Sequence, residues 1–126
     1  MQRQILDEAR IHPSIREKIA NYRIATVETV RAAVKEHDIV VVGMSQNPFP
    51  KRARQLLDRK GIPYHYIGYG SYFSKWHERL PLKLWTGWPT FPMIFVKGSL
   101  IGGFQDLERL IENGEFEALR AAPRDA

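Results

Sequence analysis

Residues 39–42, with the sequence IVVV, constrain the fold more than any other feature of this chain. The run shows no polar alternation, which is typical of a strand that is buried on both faces. Such strands occur in parallel or mixed central sheets that carry helices on either side. A chain of 126 residues suits one such sheet and is too short for two well-packed domains. We therefore expect a single α/β domain built around this strand.

The remaining elements are predicted to alternate around this strand. Apolar residues recur with helical or strand periodicity between turn signals. The first predicted helix is capped by Thr26 and ends near residue 38, and a strand at 39–42 follows it. Next come a helix over 50–61, a strand at 64–67 and a helix over 72–84 with Phe73, Trp76 and Leu80 on one side. The chain then forms a hairpin of 93–96 with 100–101 and helices over 105–113 and 116–119. One βαβ crossover followed by a hairpin gives a four-stranded mixed sheet flanked by helices.

The chain divides into three predicted parts. Residues 1–26 form an N-terminal helical extension, which is interrupted where Pro13 disfavours helix in the residue before it. Residues 27–120 form the α/β domain, and residues 121–126 form a flexible tail. The apolar stretches are strand-sized, and the first residues lack the apolar core of a secretory signal. We expect a cytoplasmic protein without a membrane partner.

Cysteine is absent from the sequence. A thiolate nucleophile, a disulfide and a cysteine-ligated metal all need sulfur, so thiol catalysis by this chain alone is excluded. The four histidines show no metal-ligand spacing, and no metal site is expected. The net charge of +5 favours anionic partners mildly. Nucleic-acid binding is not expected, because no basic run accompanies this charge.

Residues 88–107, WPTFPMIFVKGSLIGGFQDL, resemble the monothiol branch of the glutaredoxin family. The resemblance combines the WPTFP motif, a hairpin, a glycine pair and a helix that ends in a Glu-Asn-Gly-Glu turn. It extends over about residues 27–119. It implies a thioredoxin-like (glutaredoxin) sandwich and, in the family, an oxidoreductase activity on glutathione mixed disulfides.

The chain departs from this family where the active-site cysteine belongs. Family members carry Cys-Pro-Tyr-Cys or Cys-Gly-Phe-Ser at the mouth of the helix after the first strand. Alignment from the helix places Asn47 and Pro50 at the two cysteine positions, whereas counting from the strand places Pro48 and Lys51 there. Neither register supplies sulfur, and Ser45 has no relay to activate it. An iron–sulfur cluster is not expected, since its thiolate ligand is missing. The degenerate active-site loop comprises Ser45, Asn47, Pro48, Phe49, Pro50 and Lys51.

The resemblance also implies a glutathione groove. In the family a cis-proline at the position of Pro92 exposes the preceding backbone to an extended peptide, and a helix start binds a carboxylate. Arg79 matches a carboxylate-binding arginine, and Lys51 could replace a family lysine that is Ser45 here. The structural alternatives are that Pro92 only shapes a turn, that the glycine pair only ends the hairpin, and that Arg79 is solvated. The predicted groove residues are Arg79, Phe91, Pro92, Gly103, Phe104, Gln105 and Asp106.

Three functions follow from these observations. The first is a redox-inactive module that binds glutathione, a short peptide or a protein partner. The second is a glutathione-linked oxidoreductase that acts only with a partner's thiol, and the third is a nucleic-acid-binding protein. We favour the first, because the absence of cysteine argues against the second and the absence of a basic run argues against the third.

Overall fold

The centre of the structure is a four-stranded sheet made of β1 (Ile39–Gly43), β2 (His65–Gly68), β3 (Met93–Val96) and β4 (Ser99–Gly102). The structure is a computed structural model that describes residues 6–45, 47–70 and 76–123. The strand order is β2-β1-β3-β4. Strand β1 pairs in parallel with β2 and antiparallel with β3, and β4 is antiparallel to β3. The predicted four-stranded mixed sheet is confirmed.

Helices lie on both faces of this sheet. Within the described residues they are a 3-10 turn at Glu8–Arg10 and the helices α1 (Pro13–Ala20), α2 (Ile24–Glu36), α3 (Pro48–Arg59), α4 (Trp76–Thr86), α5 (Phe104–Glu112) and α6 (Glu115–Ala121). Gly61 follows the end of α3 with a φ of 67°, the left-handed conformation that commonly terminates a helix. None of the described helices has the length and apolar character needed to cross a membrane.

Strand β1 divides the apolar interior into two clusters. Val40 and Val42 point to the face covered by α2 and α4, whereas Ile39 and Val41 point to the face covered by α3, α5 and α6. The alternation follows from the two-residue period of a strand. All five residues of β1 are buried, which confirms the prediction that this strand is covered on both faces.

Helix α2 begins before its predicted cap. It starts at Ile24, and Thr26 already lies in its first turn, where its backbone N–H donates to the carbonyl of Arg23 at 3.1 Å. The prediction that Thr26 caps this helix was therefore wrong. Arg23 takes the capping position in a left-handed conformation with a φ of 45°. The helix crosses the predicted boundary between residues 26 and 27, and Val27, Val30 and Ala33 on its inner side are buried.

Helix α4 presents a different inner face from the predicted one. Leu80 is 38% exposed, whereas Arg79 and Leu82 are buried. A helix turns about 100° per residue, so burial of Arg79 and Leu82, three positions apart, turns Leu80 outward. The guanidinium of Arg79 explains this orientation, because it donates from Nη1 to the carbonyl of Tyr69 at 2.9 Å. The predicted positions 72–75 and the side chain of residue 76 lie outside the described residues.

The last helix is longer than predicted. It spans Glu115–Ala121 and is anchored by Phe116, which is 1% exposed. Its last residue, Ala121, is therefore helical, although it was assigned to the flexible tail. The predicted tail positions 124–126 lie outside the described residues.

The two-sided core makes a prediction about stability. Leu57 of α3 is fully buried, so Leu57→Ala should lower the free energy of unfolding by about 2–5 kcal/mol. Leu84 of α4 is 65% exposed, and Leu84→Ala should change it by no more than about 0.5 kcal/mol. Urea unfolding followed by circular dichroism measures both. Equal losses in the two variants would contradict the packing described here.

Candidate functional site

A cleft of about 390 Å³ opens between the N-terminal ends of α3 and α5, beside the start of β3. It is formed by three segments that are distant in sequence. We call it the α3–α5 cleft. Its lining residues are Asn47, Pro48, Phe49, Trp88, Thr90, Phe91, Pro92, Gly103, Phe104, Gln105 and Asp106.

Most of the predicted groove residues come together in this cleft. The structure brings in every predicted groove residue except Arg79, and three residues of the degenerate loop join them. The predicted groove residues did not include Trp88, which the sequence places only at the groove rim, or Thr90. The signal was available, because both belong to the WPTFP motif that includes Phe91 and Pro92.

The other predicted residues lie away from the cleft lining. Ser45 donates from Oγ to the carbonyl of Gly70 at 2.9 Å, which fixes the loop after β1. Pro50 is buried beneath Gly43, where an added Cβ on the glycine would collide with the proline ring. Lys51 is exposed in the first turn of α3. These residues shape the loop and its surroundings rather than the wall of the cleft.

Asn47 makes two side-chain hydrogen bonds that join the start of α3 to the backbone of Phe91, just before β3. It is the N-cap of α3, and its Oδ1 accepts the backbone N–H of Phe49 at 3.0 Å. Its Nδ2 donates to the carbonyl of Phe91 at 3.0 Å. Helix α3 begins at Pro48, a residue well suited to the first helical position. This register places Asn47, rather than Pro48, where the helix-based alignment expects the family nucleophile.

The peptide bond between Phe91 and Pro92 is cis, which confirms the prediction from the motif. Phe91 is 4% exposed, and its side chain belongs to the core under α2 and α4. Its carbonyl oxygen accepts the hydrogen bond from Asn47. One lone pair of this carbonyl, part of the backbone that the family resemblance assigns to a peptide ligand, is thus already engaged by a side chain of the same chain.

One backbone N–H at the start of α5 is engaged in a similar way. The backbone N–H of Gly103 donates to Oδ2 of Asp106 at 2.9 Å, and Oδ1 of Asp106 pairs with Arg109 at 2.7 Å. This carboxylate complements the positive end of the helix dipole. Gly102 has a φ of 113°, and a Cβ there would collide with the Asp106 carboxylate. A glycine is therefore needed next to the capping aspartate.

Arg79 faces a different part of the molecule. It is 7% exposed and donates to the carbonyl of Tyr69, just after β2. Burial raises the pKa of the Tyr69 phenol above its usual value of 10.0, and the negative charge of Glu78 raises it further. The structure does not bring Arg79 to the lining of the α3–α5 cleft.

Apolar side chains dominate the walls of the cleft. The rings of Phe49 and Phe104 lie 6.3 Å apart between centroids, in a tilted arrangement. The indole Nε1 of Trp88 is buried beside Gly103 and has no hydrogen-bond partner within residues 6–45, 47–70 and 76–123. Among the lining residues Asp106 is the one ionisable side chain, and it is already paired. The cleft is therefore suited to an apolar group.

Comparison with known proteins identifies the family. The sequence profile described as Glutaredoxin matches residues 39–101, half of the 126-residue chain. A glutaredoxin-like protein of Dictyostelium discoideum is 40% identical over 96 residues, which cover 76% of this chain and 78% of that protein. The chain belongs to the glutaredoxin family.

This glutaredoxin-family chain also resembles monothiol members. It is 36% identical over 94 residues to the bifunctional monothiol glutaredoxin-S16, chloroplastic, of Arabidopsis thaliana. The aligned residues cover 71% of this chain. The chain spans 32% of that longer protein. A buckwheat glutaredoxin solved as a complex with glutathione has the same fold, with a TM-score of 0.66, 20% identity, and coverage of 82% of this chain and 91% of the buckwheat chain. The thioredoxin-like glutaredoxin fold predicted from the motifs is confirmed.

The side chains of this glutaredoxin-family site do not fit an iron–sulfur cluster. Such clusters are held by cysteine thiolates, and the chain contains no cysteine. Asn47 lies where the helix-based alignment expects the family ligand, and both ends of its amide are engaged by Phe49 and Phe91. Within the described residues no three histidine, aspartate or glutamate side chains cluster as metal ligands would.

The two hydrogen bonds of Asn47 can be separated by substitution. Asn47→Asp keeps an oxygen to cap α3 but loses the donor to Phe91 and leaves two acceptors facing each other. We expect it to lower the free energy of unfolding at neutral pH by about 1–3 kcal/mol.

Asn113→Asp is the matched control for this substitution. Asn113 accepts the backbone N–H of Glu115 through Oδ1 at 2.9 Å and is exposed, so the change should cost no more than about 0.5 kcal/mol. Thermal and urea unfolding measure both variants. The bridging role of Asn47 is refuted if the two substitutions have the same effect.

Proposed function

We propose that this glutaredoxin-family chain is a binding module that holds a short peptide segment of a protein partner in the α3–α5 cleft and carries out no thiol–disulfide exchange. The observation that carries the proposal is the position of Asn47. It occupies the helix N-terminus in an otherwise family-like cleft, and its amide joins Phe49 to Phe91. A structural bridge replaces the reactive group at this point of the fold.

The proposed loss of redox chemistry rests on the requirements of the reaction. Thiol–disulfide exchange proceeds by attack of a thiolate on a disulfide sulfur through a mixed disulfide. An amide cannot take the place of the thiolate, because it is not nucleophilic and forms no bond to sulfur. The N-terminus of α3, which could stabilise a thiolate, instead donates to the oxygen of Asn47.

The proposed peptide binding rests on the shape and chemistry of the cleft. Ligand pockets are commonly concave, mainly apolar and supplied with a few polar groups. Here Pro48, Phe49 and Phe104 provide apolar wall, while Thr90 and Gln105 add polar side chains. An apolar side chain of a bound peptide would bury surface against these rings at about 25 cal/mol per Å².

Glutathione is a second candidate ligand. The predicted groove residues other than Arg79 line one cleft, and a buckwheat glutaredoxin of the same fold was solved with glutathione bound. In this chain, however, the carbonyl of Phe91 and the N–H of Gly103 already have internal partners, and Arg79 bonds elsewhere. Each lost charged contact weakens binding by about ten- to a hundredfold, so we expect a dissociation constant of about a millimolar.

Titration observed by NMR tests the binding proposal. An end-capped neutral peptide with a central leucine-phenylalanine pair should shift the Trp88 indole and the Gly103 and Gln105 amide resonances, because these groups border the cleft. Reduced glutathione should shift the same resonances at about tenfold higher concentration. The amide of Gly98, in the β3–β4 turn at the other end of the sheet, should stay in place.

Phe49→Ala distinguishes binding in the cleft from nonspecific binding to exposed apolar side chains elsewhere on the surface. Phe49 is 39% exposed and Leu80 is 38% exposed, but Phe49 lines the cleft and Leu80 lies on α4. Phe49→Ala should weaken the neutral peptide by about tenfold, since it removes buried apolar contact, and Leu80→Ala should leave it unchanged. Shifts spread over the surface, or none at all, would overturn the proposal.

Thiol chemistry tests the other half of the proposal. The unaltered chain should reduce no glutathione-linked disulfide above a control without protein in a coupled assay. Asn47→Cys should create a thiol whose pKa lies below about 8.5 and below that of Pro48→Cys, because the N-cap side chain faces the helix N–H groups. The pH dependence of alkylation measures both thiols. A lower pKa in Pro48→Cys would favour the strand-based register.

A further inference from the structure

One exposed cation, Arg52, lies beside the α3–α5 cleft without an acidic partner among the described residues. Lys51 and Arg52 follow Pro50 in the first turns of α3, and in the part of the chain that the structure describes neither is paired with a carboxylate. Several other basic side chains do have such pairs. The paired cations are Arg31 with Glu28, Lys97 with Asp38, Arg109 with Asp106 and Arg120 with Glu117.

Arg52 places a positive charge beside the apolar wall of the cleft. Its guanidinium carbon lies 5.4 Å from the centroid of the Phe49 ring. The Phe49 ring in turn contacts the ring of Phe104 across the mouth of the cleft. A guanidinium held over an aromatic face is partly oriented before a ligand arrives, so it loses less freedom when it binds a carboxylate.

Charge is unevenly distributed over α3. The helix contains Lys51, Arg52, Arg54 and Arg59, and its one acid is Asp58. Arg54 is already stacked on Tyr66, 4.0 Å from the ring centroid, on a different side of the helix from the cleft. Lys51 projects about 160° around the helix from Phe49, so the cation of α3 that lies next to the cleft is Arg52.

We propose that the occupant of the α3–α5 cleft is an acidic segment of a protein partner, with an apolar side chain packed on Phe49 and Phe104 and a neighbouring carboxylate paired with Arg52. This inference rests on the proposed binding function and specifies its partner. The apolar walls would provide contact area, and the Arg52 guanidinium would select the sign of the flanking charge.

The same observations favour a protein segment over glutathione. Glutathione carries carboxylates but no large apolar side chain to cover the Phe49 and Phe104 rings. The internal hydrogen bonds of Phe91 and Gly103 also leave fewer backbone groups for a tripeptide. A longer segment can place one side chain on the rings and a carboxylate beside Arg52, because successive side chains in an extended chain are separated by about 3.3–3.6 Å of backbone.

Fluorescence anisotropy with the full chain tests this partner chemistry. The probes are labelled, end-capped peptides of equal length with a central leucine-phenylalanine pair, flanked by glutamates, by serines or by lysines. A fourth probe has glutamate flanks and a central glycine pair. We expect the first probe to bind at least about tenfold more tightly than any other. We also expect its affinity to fall as added salt shortens the screening length from about 10 Å at 0.1 M to about 3 Å at 1 M.

Charge reversal at two positions of the same helix provides the matched comparison. Arg52→Glu should weaken the glutamate-flanked probe by about tenfold or more and strengthen the lysine-flanked one. Arg59 is also exposed and lies about 10 Å further along the helix axis, close to one screening length at 0.1 M salt. Arg59→Glu should therefore leave the affinity within about twofold. Thermal unfolding of both variants shows whether the fold is preserved.

The outcomes separate this inference from the binding function on which it rests. Equal weakening by Arg52→Glu and Arg59→Glu, or equal binding of the glycine-centred probe, would overturn the inference and indicate general charge attraction. Binding of the serine-flanked peptide at the Trp88 resonance without any gain from glutamates would also overturn it, while leaving the binding function intact. If no probe binds and no resonance near the cleft shifts, both proposals fail.

Discussion

Burial of β1 on both faces is the constraint on which the rest of the structure depends. Each of its residues is buried, so the strand needs neighbours on both edges and helices above and below. Because its side chains alternate, Val40 and Val42 pack under α2 and α4, while Ile39 and Val41 pack under α3, α5 and α6. This arrangement places the N-terminal ends of α3 and α5 next to the Phe91–Pro92 turn, and the cleft forms where these three segments meet.

At that meeting point, side chains of the chain itself bond to backbone groups that the family resemblance assigns to a ligand groove. Asn47 donates to the Phe91 carbonyl, Asp106 accepts the Gly103 N–H, and Arg79 donates to the Tyr69 carbonyl. An unsatisfied buried polar group costs about 1–3 kcal/mol, so each of these bonds stabilises the fold around the cleft. The glutaredoxin fold is therefore maintained here without a cysteine, and the walls of the cleft are chiefly apolar, with the Arg52 guanidinium beside Phe49.

Local patterns predicted much of the site. The resemblance of the WPTFP motif and the glycine pair to the glutaredoxin family predicted that Phe91, Pro92 and Gly103 share a groove, and the structure brings them to the lining of one cleft. The inner face of α4 was harder to predict. Leu80 has the chemistry of a core residue, but Arg79 and Leu82 take the buried positions. Helical periodicity alone does not reveal that the carbonyl of Tyr69, ten residues upstream, accepts a hydrogen bond from the Arg79 guanidinium and keeps that side chain buried.

By itself, the sequence determined the two-faced central strand, the mixed sheet and the absence of any thiol. Each of these follows from residue type or from spacing within a few positions. Only the tertiary structure decided that Asn47 is the N-cap of α3, and that its amide reaches a carbonyl 44 positions away. It also decided that Arg79 is buried and that Arg52 lies on Phe49. The reason is physical: hydrogen bonds and ring contacts between distant segments depend on how the helices pack on the sheet, and residue spacing does not encode that geometry directly.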